Sequence, residues 1–118
     1  MIKSVSFGAA VILAAGLAHA QDPDRYLVER NQKGLLTYCA GKGYSAATAV
    51  AAQDKLLTRL PVSDAAKGDA VEAMGRQGIA GDGQAERISL ADIAAQDGTD
   101  EAAVCKMLAD IVTMMATE

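Results

Sequence analysis

A chain of 118 residues with a formal net charge of −4 and 3% aromatic residues is long enough for one domain and its core, not for two. Its acidity argues against nucleic acid as a partner, because affinity for phosphate backbones rests on clustered Lys and Arg. Its single histidine, His19, falls inside an N-terminal segment that reads as a removable leader, which strips the remaining chain of the commonest general base and metal ligand.

That leader has three parts. Lys3 supplies a basic start, Val5 to Ala18 a run of small apolar residues, and "AHA" an A-x-A site before Gln21, the layout of a secretory signal peptide. A transmembrane anchor needs about 20 apolar residues, and polar "QDPDR" follows this shorter run at once. No stable membrane insertion is therefore expected. There is no twin-arginine pair and no cysteine at the cleavage point, so neither folded export nor a lipid anchor is indicated. Cleavage after Ala20 leaves residues 21–118 as a single helical domain in the periplasm or secreted. This mature chain has no His, Trp or Phe, three tyrosines, and ten Lys plus Arg against fifteen Asp plus Glu, a net charge of −5.

The mature chain reads as a succession of helices. Alanine occupies 19 of its positions, β-branched and aromatic residues are sparse, and no segment alternates in the manner of a strand. The first helix, in "DPDRYLVERNQKGLLTYCAGKG", opens with an acid before Pro23 and closes on Gly41 and Gly43. Gly34 weakens its middle by about 1 kcal/mol relative to alanine. The second follows Ser45 as "AATAVAAQDKLLTRL" and stops before Pro61, whose ring would clash with the preceding turn. The third starts after Ser63 as "DAAKGDAVEAMGRQ", with acids in its first turn favouring the dipole. "GRQGIAGDGQAE", residues 75–86, then carries four glycines. Lacking a preceding strand and a well-placed Lys or Ser/Thr, it reads as a flexible connector and not a phosphate loop. Ser89 with Asp92 makes a capping box for "LADIAAQ", which breaks at Gly98, and Thr99 caps "DEAAVCKMLADIVTMMAT". The expectation is an all-α fold, a small bundle of four to five short helices.

Cys39 and Cys105 are the only cysteines, and in an oxidising compartment an even count reads first as a disulfide. A redox-active pair usually shows C-x-x-C spacing, which is absent. A bridge of 66 positions would clamp first and last helices together and stabilise the fold by about 4 kcal/mol in the chain-entropy model. Met74, Met107, Met114 and Met115 suit either core filling or an adaptable binding surface, and core filling is the commoner use.

Leu90, Ala91, Asp92, Ile93 and Ala94, then Gly98, then Val104 and Leu108, resemble in pattern the helix-turn-helix of the lactose-repressor family. Those positions pack two helices together, so any such corner reproduces them. The positions that would face the major groove are Asp100, Glu101 and Ala103. Carboxylates there meet phosphate, where DNA readers place Arg, Lys, Asn or Gln. No enzyme is expected either. Nucleophilic catalysis needs an adjacent base, zinc and haem sites want His or free Cys, D-x-D-x-D-G calcium loops do not occur, and neither metal nor cofactor is implied. A sugar-binding cleft between two carboxylates would need more chain and more aromatics than remain.

A small, acidic, bridged helical protein outside the cytoplasm most plausibly works by binding another protein. A first helix bearing one cysteine ("LLTYCAGKGY", Leu35 to Tyr44), an alanine-rich second helix and a last helix bearing the other cysteine ("AAVCKML", Ala102 to Leu108) resemble the small periplasmic immunity proteins that neutralise type VI secreted amidases. The sequence departs from them in its glycine-rich connector and in lacking a tryptophan near the first cysteine. The resemblance implies inhibition of a secreted hydrolase by insertion of a loop or face into its active-site groove. The connector is the natural protruding element, with Arg76, Gln77, Ile79, Asp82 and Glu86 as candidate partner-binding residues. Two other roles fit the same features: an acid-stress chaperone whose fifteen acids neutralise at low pH, and an accessory subunit or pilotin of an envelope complex. A homodimer is compatible with all three.

Overall fold

The computed structural model describes residues 24–83 and 87–117. The expected signal peptide and its cleavage site, and Glu86 of the connector, lie outside the described residues. Among those described are five helices, α1 (Arg25–Gly41), α2 (Ala47–Leu57), α3 (Ala65–Arg76), α4 (Leu90–Gln96) and α5 (Glu101–Ala116). A short antiparallel ribbon, β1 (Ile79–Ala80) with β2 (Ile88–Ser89), joins α3 to α4, pairing Ile79 with Ser89 and Ala80 with Ile88. The fold is the expected helical bundle, and the Cys39–Cys105 disulfide is present with a Cα–Cα distance of 5.7 Å.

Short polar side chains start four of the helices. The Asp24 carboxylate accepts from the Leu27 N–H at 3.2 Å, Asp64 from Lys67 at 3.0 Å, the Ser89 hydroxyl from Asp92 at 3.0 Å, and Asp100 from Ala103 at 2.9 Å. Each satisfies a donor that a helix N-terminus leaves orphaned. Asp64 and Asp100 cap where Ser63 and Thr99 were expected, so those helices start one residue later, and Asp24 caps α1 in place of the acid expected before Pro23. Helix α2 has no such cap: Ala46 precedes it without a side-chain bond. It also ends at Leu57, three residues short of the expected Leu60, in tight turns in which Arg59 N–H donates to Leu56 and Leu60 N–H to Leu57.

The bundle is organised around α1. Contacts with α3 advance together along both helices, Tyr26 and Arg30 against Gly68, then Gly34 against Gly75, so these two run in the same direction. They touch backbone to backbone. A Cβ on Gly34 would lie 2.9 Å from Gly75 Cα and Arg76 N, and closer still to the Glu72 carbonyl oxygen. Gly34 therefore costs helix propensity but permits the contact, a role that propensity alone does not disclose. The partner glycines Gly68 and Gly75 stand seven residues apart on α3, on one face of the helix.

Polar side chains complete this seam. Arg30 donates to Glu72 at 2.7 Å, Asp69 at 2.6 Å and the Tyr26 hydroxyl at 2.7 Å, while Arg76 pairs with the other Glu72 oxygen. The buried Gln53 amide of α2 donates to the Glu29 carbonyl at 2.9 Å and to its carboxylate at 2.6 Å. Around them the core forms three clusters. Tyr26, Leu27, Val71 and Met74 lie between α1 and α3. Leu36, Ala49, Leu56, Val112 and Ala116 join α1, α2 and α5. Leu35, Cys39, Leu90, Ala94, Val104 and Cys105 surround the disulfide.

Candidate protein-binding surface

The α4–α5 corner is built locally. Ser89 starts α4, the chain reverses at Gly98 with φ of +69°, a conformation glycine adopts without penalty, and Asp100 starts α5. Cys105 bonds α5 to α1, and the Tyr38 hydroxyl of α1 donates to Glu101 at 2.7 Å. That hydrogen bond, aided by desolvation, raises the Tyr38 pKa above its ordinary value. Glu101, one of the residues a DNA reader would have turned to the major groove, is thus held against the bundle.

Helix α5 carries apolar residues around too wide an arc to bury them all. Val104, Cys105, Val112 and Ala116 are inside, and Leu108 and Met115 are half-buried. Met107, Ile111 and Met114 remain 48%, 43% and 66% exposed. Spaced four and then three residues apart, they form one stripe along the outer face. Single exposed apolar residues are ordinary, but a contiguous row marks a contact surface.

The stripe opens into a groove of about 460 Å³. One wall is the outward side of α1, where Val28, Gln32 and Leu35 follow at helical spacing, and the other is Val104, Met107 and Leu108 of α5. Leu90 and Ile93 of α4 line it too, and Ala80, Gly81 and Asp82 contribute from the segment after β1. Concave, largely apolar sites with a few polar groups at the margin are where ligands and partners are usually held.

The candidate residues in the connector have more structure around them than a protruding loop would give. Arg76 ends α3 in its ion pair with Glu72, and Gln77 is the exposed residue that caps it. Ile79 is half-buried against the Tyr26–Met74 cluster. Asp82 is half-buried in the groove lining. Asn31 of α1 holds the segment down: its buried side-chain amide donates to the Val71 and Ile79 carbonyls, each at 3.0 Å, and its oxygen accepts from Gly81 N–H at 3.2 Å. Gly78, with φ of +79°, abuts the Tyr38 ring. So Ile79 and Asp82 lie on the α1 side of the molecule near the groove, Arg76 and Gln77 lie at the end of α3, and the set does not form one patch.

Among the four methionines, Met74 fills the core and Met115 packs beside the α1–α2–α5 cluster, while Met107 and Met114 face outward. Sequence reasoning took Ile93 for a packing position of the helix corner and assigned neither Val28 nor Gln32 to a binding surface. The available signal was the breadth of the apolar arc on α5. Among the described residues, no group of three Asp, Glu, Cys or His side chains is placed to hold a metal ion, and no helix is long and apolar enough to cross a membrane. No family model, curated protein or solved structure matches the chain.

Proposed function

We propose that this is an exported, non-enzymatic protein that acts by binding another protein, as the inhibitor or immunity protein of a secreted hydrolase. The observation that carries the reading is the apolar groove between α1 and α5 together with the exposed Met107–Ile111–Met114 stripe beside it. Such a surface is costly to leave in water and useful when a partner covers it. The absence of histidine from residues 21–118 supports a role that needs no general base. The leader sequence supports a periplasmic or secreted location. The binding surface in this reading is the groove, with Asp82 at its margin, and the connector residues Arg76 and Gln77 are peripheral to it.

The direct test uses a secreted hydrolase whose gene is found to adjoin this protein's own. Its activity should fall stoichiometrically on adding the purified protein, and Met107→Glu combined with Ile111→Glu should abolish the inhibition without altering the helical circular dichroism. A hydrolase that keeps full activity and forms no complex refutes the inhibitor reading. Apolar-dye binding followed from pH 7 to 2 separates it from the acid-stress chaperone, which must expose apolar surface on acidification.

A further inference from the structure

Charge narrows what the groove accepts. Residues 21–89 carry nine acids and nine bases, whereas residues 90–117 carry five acids, Asp92, Asp97, Asp100, Glu101 and Asp110, against Lys106 alone. The α4–α5 corner therefore holds a net charge equal to the −4 of the entire chain. That corner supplies one wall of the groove and the whole apolar stripe. Asp110 adjoins Ile111 and stands within one turn of both Met107 and Met114. Its ion pair with Lys106 at 2.8 Å joins two well-exposed groups, an arrangement that contributes little and exchanges readily. Asp92 stands beside Ile93 in the same way.

Resting on the protein-binding reading, we infer that the occupant is a cationic amphipathic helix of the partner, lying along the groove with its apolar side chains inward and its Lys or Arg along the α4–α5 rim. The dimensions suit two turns of anchor residues. Val28 to Leu35 along the groove, and Met107 to Met114 along the stripe that continues past it, each span about 10 Å at 1.5 Å per residue, and anchors at i, i+3 or i+4 and i+7 are how an amphipathic helix fills a groove. A strand has less to pair with, since β1 and β2 are two residues each and already bonded to one another. An anionic membrane surface attracts basic segments and repels these acids. Opposite charge at the rim chiefly sets the rate and selectivity of association, and apolar burial its strength.

The test measures binding of fluorescent peptides of about 15 residues, near the length at which an isolated helix first becomes stable. One is an amphipathic Leu/Lys helix, the second places Glu at every Lys, and the third scrambles the first so that no apolar face forms. At low ionic strength the Leu/Lys helix should bind about tenfold tighter than either, an advantage that salt erodes by screening. Met107→Ser with Ile111→Ser should weaken it against all backgrounds. Asp92→Asn with Asp110→Asn should remove the preference for Lys over Glu while circular dichroism remains that of the folded helical protein. Equal binding of the Glu or scrambled peptide overturns the inference, as does binding of the protein to phosphatidylglycerol-containing vesicles in preference to the peptides. If hydrolase inhibition depends on Met107 and Ile111 but the charge preference is absent, this inference alone falls. If groove substitutions leave inhibition intact, the protein-binding reading of the groove falls with it.

Discussion

Replacing Gly34 or Gly75 by alanine separates two opposing effects that usually go unmeasured together. In an exposed helix interior, alanine is favoured over glycine by about 1 kcal/mol. At Gly34 the added methyl meets the Gly75 Cα and Arg76 N at 2.9 Å and the Glu72 carbonyl oxygen more closely, against the 3.4 to 4 Å of ordinary contact. The obstacles are backbone atoms inside a helix, so relief requires α1 and α3 to move apart by half an ångström or more along their whole seam. Overpacking of this kind costs about 1–3 kcal/mol and occasionally more. Because rigid backbone faces the methyl, the upper part of that range applies, and after the propensity gain a net loss of about 2 kcal/mol remains. For a domain of this size that lowers the melting temperature by roughly 8–16 °C. Urea titrations followed by circular dichroism should show a lower midpoint at unchanged m-value. Gly34→Ala with Gly75→Ala should cost less than the sum of the singles, since one separation of the helices relieves both clashes. Gly41, with no atom within 4 Å of an added Cβ, serves as the control that tolerates alanine. Should Gly34→Ala stabilise the protein as an exposed glycine would, the close approach of α1 and α3 is the wrong account of this seam.

Cys39→Ser and Cys105→Ser should lower stability equally under oxidising conditions, by as much as about 4 kcal/mol, since either removes the same bridge; clearly unequal thermal melts would refute that account. Asn31→Ala takes the side-chain partner from the Ile79 carbonyl and the Gly81 N–H and removes a second hydrogen bond to the Val71 carbonyl inside α3. It should cost about 2–3 kcal/mol, and faster amide exchange at Gly81 should show that the segment after β1 has been released. The Tyr38–Glu101 hydrogen bond raises the Tyr38 pKa above its unfolded value of 10.0. Its contribution is therefore complete below about pH 10 and is lost as pH rises through the raised value. Melts from pH 8 to 11 should show that alkaline loss in the native chain and a smaller one in Tyr38→Phe; identical profiles would exclude the contact as its source.

How far the sequence disclosed this arrangement depends on whether a feature is local. Helix starts were legible within one or two residues, because at four of the five an acid or hydroxyl reaches the N–H three residues on. The disulfide was legible from a cysteine count and a compartment. Gly41, Gly43 and Gly98 were legible as a helix end and a turn, but the contact role of the helical glycines was not, because glycine serves both flexible loops and close helix contacts, and only the partner helix distinguishes the two. Gly68 and Gly75, seven apart on α3, carried the signal for contact, and Gly34 was its counterpart on α1. The connector looked flexible for the same reason, whereas at Gly78 and Gly81 the structure finds glycine pressed against Tyr38 or bonded to Asn31. The groove was less legible still: which part of the α5 arc is covered depends on where α1 and α4 lie, and no one-dimensional pattern states that.

The two sides of α1 show how the groove comes to exist. Toward α3, glycines bring the backbones together, and Asn31, Arg30 and Glu72 occupy the polar edges of the seam, so no space remains. Toward α5, Val28, Gln32 and Met107 face an open groove, and a wall that does not touch its neighbour gains no packing energy from it. Two ties between α1 and α5 sit at one end of the groove, the fully buried Cys39–Cys105 bond and the Tyr38–Glu101 hydrogen bond one residue away on α1, while Leu36 packs with Val112 and Ala116 on the side shared with α2. Leu35 and Val104 meet beside that bond, and beyond it, toward Val28 and Met107, the helices leave the groove open. The covalent tie thus adds to this packing where the open groove contributes none. The stabilising role of Cys105 and the docking role proposed for the α5 stripe can share one helix without conflict, because Cys105 faces inward on the turn where Met107 faces out.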